Sequence, residues 1–329
     1  MDDRVANFDT GWIAVHNYAA DIAFQRSQDA RRYCLIIASP NVHASCEISA
    51  ERILAGRIGD HRHTVAACAH HDLAPGSVVP DLIENNLTRR ETVRHAIQET
   101  LSGISDRSRD VIAVLPDAAV RVVLLDFEVL PTDIAEAESV VRFRLKKSLP
   151  FDVDKARVSY HAHPSGTGVK VVAAVALSSV IQYYEAAFRD AGYSPGVVLP
   201  STLAALGAAD ARRPTLLVKV DTRTTSIAIL EGDQMLLFRT LENVRGVQIT
   251  GEQLAEEVYP SVVFFQDTYH LNIEQIFIAG LPESDGAAPA LRAQTGAEVR
   301  ELVRPSQLGH ASRDVPAWAM AGVVGALLS

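Results

Sequence analysis

The sequence predicts a mixed α/β protein of two lobes, each a sheet flanked by helices, with a smaller β-α-β-β-α unit inserted in the first lobe. Three observations predict it. The chain has 329 residues, and single cores stop growing before roughly 300 residues, so two cores are expected. Hairpin-rich β segments occur twice, near residues 44–69 and again near 216–240, each followed by a helix and then a buried strand. A composition break at Arg212-Arg213-Pro214 separates the two repeats.

Residues 1–33 read as an extension, either helical, with Ile13, Ala20 and Phe24 on one side, or disordered. Ala44 to Ile48 and Arg52 to Arg57 are strands around a turn, and His63 to Ala69 continues the β pattern. Glu91 to Ser102 is a helix with Val93, Ile97 and Leu101 at four-residue spacing. Asp110 to Leu115 is a buried strand closed by Pro116-Asp117, and Ala119 to Phe127 is another. Pro131-Thr132-Asp133 starts a helix whose Ala137, Val141, Leu145 and Leu149 share one face; Pro150 stops it and Phe151 follows. Arg157 to Ala162 and Lys170 to Ala176 pair across a turn, Ser179 to Ala191 is a helix ended by Gly192, and Thr202 to Ala211 is another helix. Beyond the break come strands Leu216 to Val220, Ser226 to Leu230 and Met235 to Thr240, the last two joined by Glu231-Gly232-Asp233. A long helix from about Val247 to Leu271 leads to a buried strand, Ile276 to Ala279, that meets Gly280. A helix, a strand and a final apolar helix close the chain. The expected units are a first lobe of 34–125, 198–213 and 315–329, an inserted unit of 126–197, and a second lobe of 214–314.

Composition narrows the function. Thirty-one basic against forty acidic residues give a net charge of −9, which argues against nucleic acid as a partner, because phosphate backbones are held by clustered Lys and Arg. Cys34, Cys46 and Cys68 are odd in number and lack a C-x-x-C, so a reducing compartment and core thiols are expected. The N-terminus lacks a signal-peptide pattern. The most apolar tail, Ala317 to Leu328, is about half the roughly 20 residues that span a bilayer. A soluble, cytoplasmic protein is expected. His161-x-His163, His61-x-His63 and His70-His71-Asp72 each lack an identifiable third ligand, so no metal site is assigned. No G-x-S-x-G or G-x-x-x-x-G-K-[ST] motif occurs.

Several stretches together resemble the PilM family, cytoplasmic actin-like proteins of type IV pilus assembly. They are RFRLKKSLPFD over 142–152, LPDAAVR over 115–121, Leu130-Pro131, the helix end from Tyr184-Glu185 to Ala191-Gly192-Tyr193, and Val262 to Asp267. The similarity runs along nearly the whole chain after about Pro40. It implies an actin/FtsA-type fold: two lobes around a cleft, with a small subdomain inserted in the first. It also implies a scaffold at the inner face of the inner membrane, serving pilus biogenesis and twitching motility. The implied partners are the cytosolic N-terminal peptide of a PilN-like membrane protein, the separate pilus motor ATPase and a platform protein. Runner-up readings are an active ATP-binding member of the superfamily and a type II secretion component of similar fold, which normally carries a transmembrane helix.

The resemblance also says where ATP with magnesium would sit. An actin-like ATPase uses two turns that offer N–H groups and hydroxyls to phosphates, acids that hold magnesium through water, and a glycine pair against the adenine. KVDTRTTSIAIL, 219–230, corresponds to the second phosphate turn, with Asp221, Thr222, Thr224 and Thr225, but Arg223 replaces its glycine. Arg223 either holds a phosphate by charge or is a solvated turn arginine. In the first turn Glu47 replaces the acid and Ser49 the glycine, and the adenine loop keeps Gly280 but has Leu281 next. Weak nucleotide binding at most, with little hydrolysis and no catalytic residue, is expected. For the partner peptide, the basic Arg142 and Lys146 and the apolar Leu149, Pro150 and Phe151 are the expected contacts, against the plainer readings of a solvated helix face and a core phenylalanine.

Overall fold

The computed structural model describes residues 42–59, 64–83, 85–104, 108–232, 234–243, 248–281, 286–309 and 315–329. The expected N-terminal extension, Cys34 and His61-x-His63 lie outside them. Three sheets organise the chain. The first contains β1 (Ala44–Ile48), β2 (Arg52–Ile58), β3 (Val65–Asp72), β4 (Asp110–Leu115) and β8 (Ser194–Pro200), in the order β3-β2-β1-β4-β8. The smallest contains β5 (Arg121–Phe127), β6 (Ala156–Ser165) and β7 (Gly168–Leu177), in the order β5-β7-β6. The third contains β9 (Thr215–Val220), β10 (Thr224–Glu231), β11 (Gln234–Glu242), β12 (Gln275–Ala279) and β13 (Glu298–Glu301), in the order β11-β10-β9-β12-β13. In the first and third sheets an antiparallel meander is joined to parallel strands: β1 runs parallel to β4, and β9 runs parallel to β12. The central strand of each is therefore buried on both faces, which is why Ala-Ser-Cys-Glu-Ile and Thr-Leu-Leu-Val-Lys-Val carry no solvent-facing alternation.

The helices are α1 (Arg90–Gly103), α2 (Ile134–Leu145), α3 (Ser178–Asp190), α4 (Ser201–Ala205), α5 (Gly251–Tyr269), α6 (Ala287–Thr295) and α7 (Ala321–Leu328). Asp133 caps α2 by accepting from the Glu136 N–H at 2.9 Å. Thr250 and Gln253 form a reciprocal capping box on α5, so that helix begins four residues later than the apolar pattern alone suggests. Helix α2 buries Ala137, Val141 and Leu145 on the small sheet, giving it a core of its own with Leu125, Val153, Val171, Ala173 and Val175. Helix α3 instead packs Val180, Tyr184 and Phe188 into the first sheet's core beside α1.

Strand β8 has no counterpart in the sequence reading. Pro195, Gly196 and Pro200 disguise it, and they are tolerated because β8 is the edge strand, pairing only with β4. The expected helix Thr202 to Ala211 is only α4 followed by a 3-10 turn, Leu206–Ala208. The apolar tail becomes a short 3-10 turn and α7, whose residues 321–327 are all buried. No helix among the described residues is long and apolar enough to cross a membrane.

Helix α7 lies so close to α4 that a Cβ on Gly325 would collide with the Ala204 carbonyl. Alanine gains about 1 kcal/mol over glycine in an exposed helix, but a backbone carbonyl cannot yield, and overpacking costs about 1–3 kcal/mol. Gly325→Ala is expected to be net destabilising, seen as a lower denaturation midpoint in urea; an unchanged or raised midpoint would contradict this packing.

Candidate functional site

The first and third sheets face each other through one side of the third. Pleating places Leu217 and Lys219 of β9, Ser226, Ala228 and Leu230 of β10, and Phe277 and Ala279 of β12 on this side. Leu217, Ala228, Leu230, Phe277 and Ala279 belong to the core of the first sheet, whereas Leu216, Val218, Val220, Ile276 and Ile278 form a separate core with α5 and α6. The alternation of β9 therefore drives Lys219 into the interface between lobes.

There its ammonium meets acids. Lys219 Nζ is 3.6 Å from Glu47 Oε1, and both side chains are buried, at 6% and 4% exposure. Glu47 also accepts a short hydrogen bond from the Ser201 hydroxyl. Asp117, in the turn after β4, accepts from the Thr202 N–H at 2.9 Å and the Thr202 hydroxyl at 2.5 Å, and from the Ser226 hydroxyl at 3.2 Å. Thr202 belongs to the first lobe and Ser226 to the second, so one carboxylate ties both. Burial alone would lower the Lys219 pKa, but Glu47, Asp117 and Asp221 together outweigh it and keep the ammonium charged, its pKa above that of ordinary lysine. Burial pushes Glu47 up; Lys219 and the Ser201 hydrogen bond pull it back, and Asp221 and Asp117 push it up again, leaving it raised. The two upward shifts differ in cause: the surrounding acids outweigh burial for Lys219, whereas burial itself is the chief cause for Glu47.

The two turns flank this cluster. At the first, the Ser49 hydroxyl donates to the Arg52 carbonyl at 2.9 Å and accepts from the Arg52 N–H at 3.1 Å. At the second, Asp221 accepts from the Thr222 N–H at 2.6 Å, and its own N–H donates to the Thr224 carbonyl at 2.8 Å. Neither Ser49 nor Arg223 has a positive φ, so both turns adopt conformations that need no glycine and carry no backbone strain from its replacement. Thr222 lines the cavity between the turns. Thr224 and Thr225 are buried in the sheet, and Arg223 points to solvent with its carbonyl accepting from Asn243 N–H at 2.7 Å. Gly280, at φ 84°, lies so close to the Val220 carbonyl that any Cβ would collide with it, and its N–H donates to the Trp318 carbonyl at 2.9 Å. The Arg52 guanidinium lies over the Trp318 ring, 5.6 Å from its centroid.

Magnesium–ATP does not fit the residues present. The cavity bounded by Glu47, Ser49, Asp221, Thr222, Gly280 and Trp318 measures about 50 Å³, against roughly 300–1,000 Å³ for pockets that enclose a drug-sized ligand. The ammonium of Lys219 already stands among the acids that a metal's water shell would need. The Ser49 hydroxyl is spent within its own turn and those of Thr224 and Thr225 are buried in the sheet, leaving Thr222 as the hydroxyl residue at the cavity.

The other expected residues lie on α2 and the loop after it. Arg142 donates to Glu138 at 2.7 Å and to the carbonyls of Val153 and Ala156 at 3.0 and 3.3 Å, strapping α2 to the start of β6. Lys146 is exposed, 3.4 Å from Asp154. Leu149 and Phe151 are partly buried against the small sheet's core, and Pro150 is exposed. The same helix presents Phe143, 71% exposed, and Val140 one turn before it, an apolar pair the sequence reading passed over. Lys219, Asp117, Ser201 and Thr202 were missed too; the signal was a lysine at an interior position of an otherwise apolar strand.

No protein-family profile and no curated protein match the chain. Solved structures do. The PilM–PilN type IV pilus biogenesis complex superposes with a TM-score of 0.74 at 19% identity, covering 87% of this chain and 97% of that one. A protein of unknown function with an actin-like ATPase fold from Bacteroides thetaiotaomicron gives 0.49 at 11% identity, over 78% and 89%. The cytoplasmic domain of EpsL, from the type II secretion system of Vibrio cholerae, gives 0.46 at 13%, over 73% and 83%. The last two are too loose to carry an argument. The first establishes the fold: the chain shares the two-lobed α/β fold seen in that complex.

Breaking a buried ion pair by removing one partner costs about 3–5 kcal/mol, whereas replacing both by apolar groups is often neutral. Lys219→Met is therefore expected to destabilise the protein strongly, and Glu47→Leu combined with Lys219→Met to recover most of the loss, in a double-mutant cycle read by urea denaturation. The raised Glu47 pKa means that the folded state holds that proton more tightly than the unfolded state. Its stabilising contribution is complete below the ordinary carboxylate pKa and is lost as pH rises through the folded value. Relative to Glu47→Gln, the natural protein is expected to lose stability over that rise; a pH-independent difference would refute the assignment.

Proposed function

We propose that this chain is a cytoplasmic scaffold of a type IV pilus inner-membrane platform, which binds the N-terminal cytosolic peptide of a PilN-like membrane protein. The observation that carries this reading is the superposition on PilM of a PilM–PilN complex over 97% of the PilM chain. The small volume left between the two turns agrees with it, because a scaffold needs no reaction chemistry. Links to the motor ATPase and the platform protein, and a place at the inner face of the membrane, belong to the same proposal. We take the small-sheet unit, β5 to β7 with α2, to be the part that meets the peptide; α3 and β8, within the expected 126–197, pack with the first sheet instead.

The peptide would lie along the small-sheet unit. Exposed Phe143, Val140 and Pro150 offer apolar contact, and Lys146 offers charge. Arg142 is committed to α2 and β6 and contributes by holding that surface in shape. Calorimetric titration with a synthetic peptide of the PilN-like protein's N-terminus tests this. Binding is expected with and without magnesium–ATP, and Phe143→Ala is expected to weaken it by about tenfold, the loss typical of one anchoring aromatic. Phe151→Ala is expected to weaken it as well, with circular dichroism confirming that the variant is folded. No binding by the folded natural protein would end the proposal; unchanged affinity in both variants would move the contact elsewhere.

A further inference from the structure

The side of the third sheet that carries Lys219 has a second end, and there a cavity of about 520 Å³ opens, against about 50 Å³ at the turns. In register, Leu217 pairs with Phe277 and Phe277 with Arg300, and Thr215 pairs with Gln275 and Gln275 with Glu298. The cavity therefore lies on the same face as Lys219, toward the starts of β9 and β12, where the chain crosses from the first lobe to the second. Four arginines line it: Arg212 and Arg213 from the crossing segment, Arg300 from β13 and Arg304 just after it. Phe277 and Leu302 supply an apolar wall.

The floor is built in advance. Gln275, 5% exposed, donates to the Asp210 carbonyl and, at 2.6 Å, to the Thr215 hydroxyl, and accepts from Arg213 at 3.0 and 3.1 Å. The carboxylates lining the cavity are Asp210 and Glu301, with Glu298 beside it. Asp210 pairs with Arg212, and Glu298 with both Arg213 and Arg300. Glu274 also stands 4.0 Å from Arg213, so Asp210, Glu274 and Glu298 answer three of the arginines, and among the described residues Arg304 is the lining cation with no carboxylate paired to it. The volume lies within the roughly 300–1,000 Å³ of small-molecule pockets, and guanidinium forks match phosphate oxygens two at a time.

We infer that this cavity binds a small phosphate-bearing molecule, held between Arg212 of the crossing segment and Arg300 and Arg304 of the second lobe. The chain would then carry an anion site at the opposite end of the interlobe face from the degenerate nucleotide turns. The inference stands independently of the pilus reading, since it rests on the arginines and the cavity alone.

Titration calorimetry of the full chain with inorganic pyrophosphate at physiological ionic strength tests it. Saturable binding is expected, weakened about ten- to a hundredfold in Arg304→Gln and in Arg300→Gln, the loss of a charge-assisted hydrogen-bonded contact. Arg94→Gln, an equal change of charge on α1, is expected to bind as the natural protein does. A thermal melt with and without pyrophosphate gives a second readout: the midpoint should rise for the natural chain and for Arg94→Gln, but not for Arg304→Gln. No binding at millimolar pyrophosphate by the folded natural chain overturns the inference. So does equal weakening in all three variants, which would mark general charge attraction, or binding of a polyglutamate peptide in preference to pyrophosphate, which would mark an acidic protein partner.

Discussion

The structure turns on one ammonium group. Lys219 reaches from the central strand of the third sheet into an interface where Glu47, Asp117 and Asp221 supply negative charge and its ammonium supplies the positive charge that meets them. A pair at about 4 Å attracts by about 4 kcal/mol at the effective dielectric of a protein, while removing each ion from water costs several. Such an arrangement adds little net stability, but it is demanding about geometry. If the lobes part, the first-lobe acids lose their cation, and Asp117 keeps Thr202 but loses Ser226. The cluster thereby selects one relative placement of the lobes.

That placement decides what the interlobe face can hold. At the Lys219 end the two turns close on themselves, Gly280 abuts the Val220 carbonyl, and little room remains. At the far end the crossing segment is tied to β12 and β13 through Gln275 and Glu298, and arginines gather around the opening beside them. The same β-strand alternation produces both: a polar side chain at each end of β9, Thr215 and Lys219, brackets Leu217 in the shared core.

The small sheet plays a different part. Its core is separate from the other two, and Arg142 fastens α2 to the start of β6 through the carbonyls of Val153 and Ala156. A charged side chain engaged in this way supplies rigidity to a surface whose outward residues, Phe143 and Val140, are apolar. A preformed surface of this kind lowers the ordering cost of binding an extended or helical peptide.

By itself the sequence determined most of the elements, because local patterns control them: period-four apolar positions for α1 and α2, Asp133 as a cap, and continuous apolar runs for β4, β9 and β12. It also located the eroded turns, since glycine at a special position is a one-residue signal and Ser49 and Arg223 plainly break it. Edge strand β8 escaped, because its prolines mean something different at a sheet edge than at a centre. Only the tertiary structure decided that Glu47 meets Lys219 across 172 residues, that Asp117 joins two lobes, that Arg142 is a strap, and that four arginines from distant segments line one cavity. Those are contacts between side chains whose distance in sequence carries no periodic signal, and packing of the third sheet on the first is what brings them together.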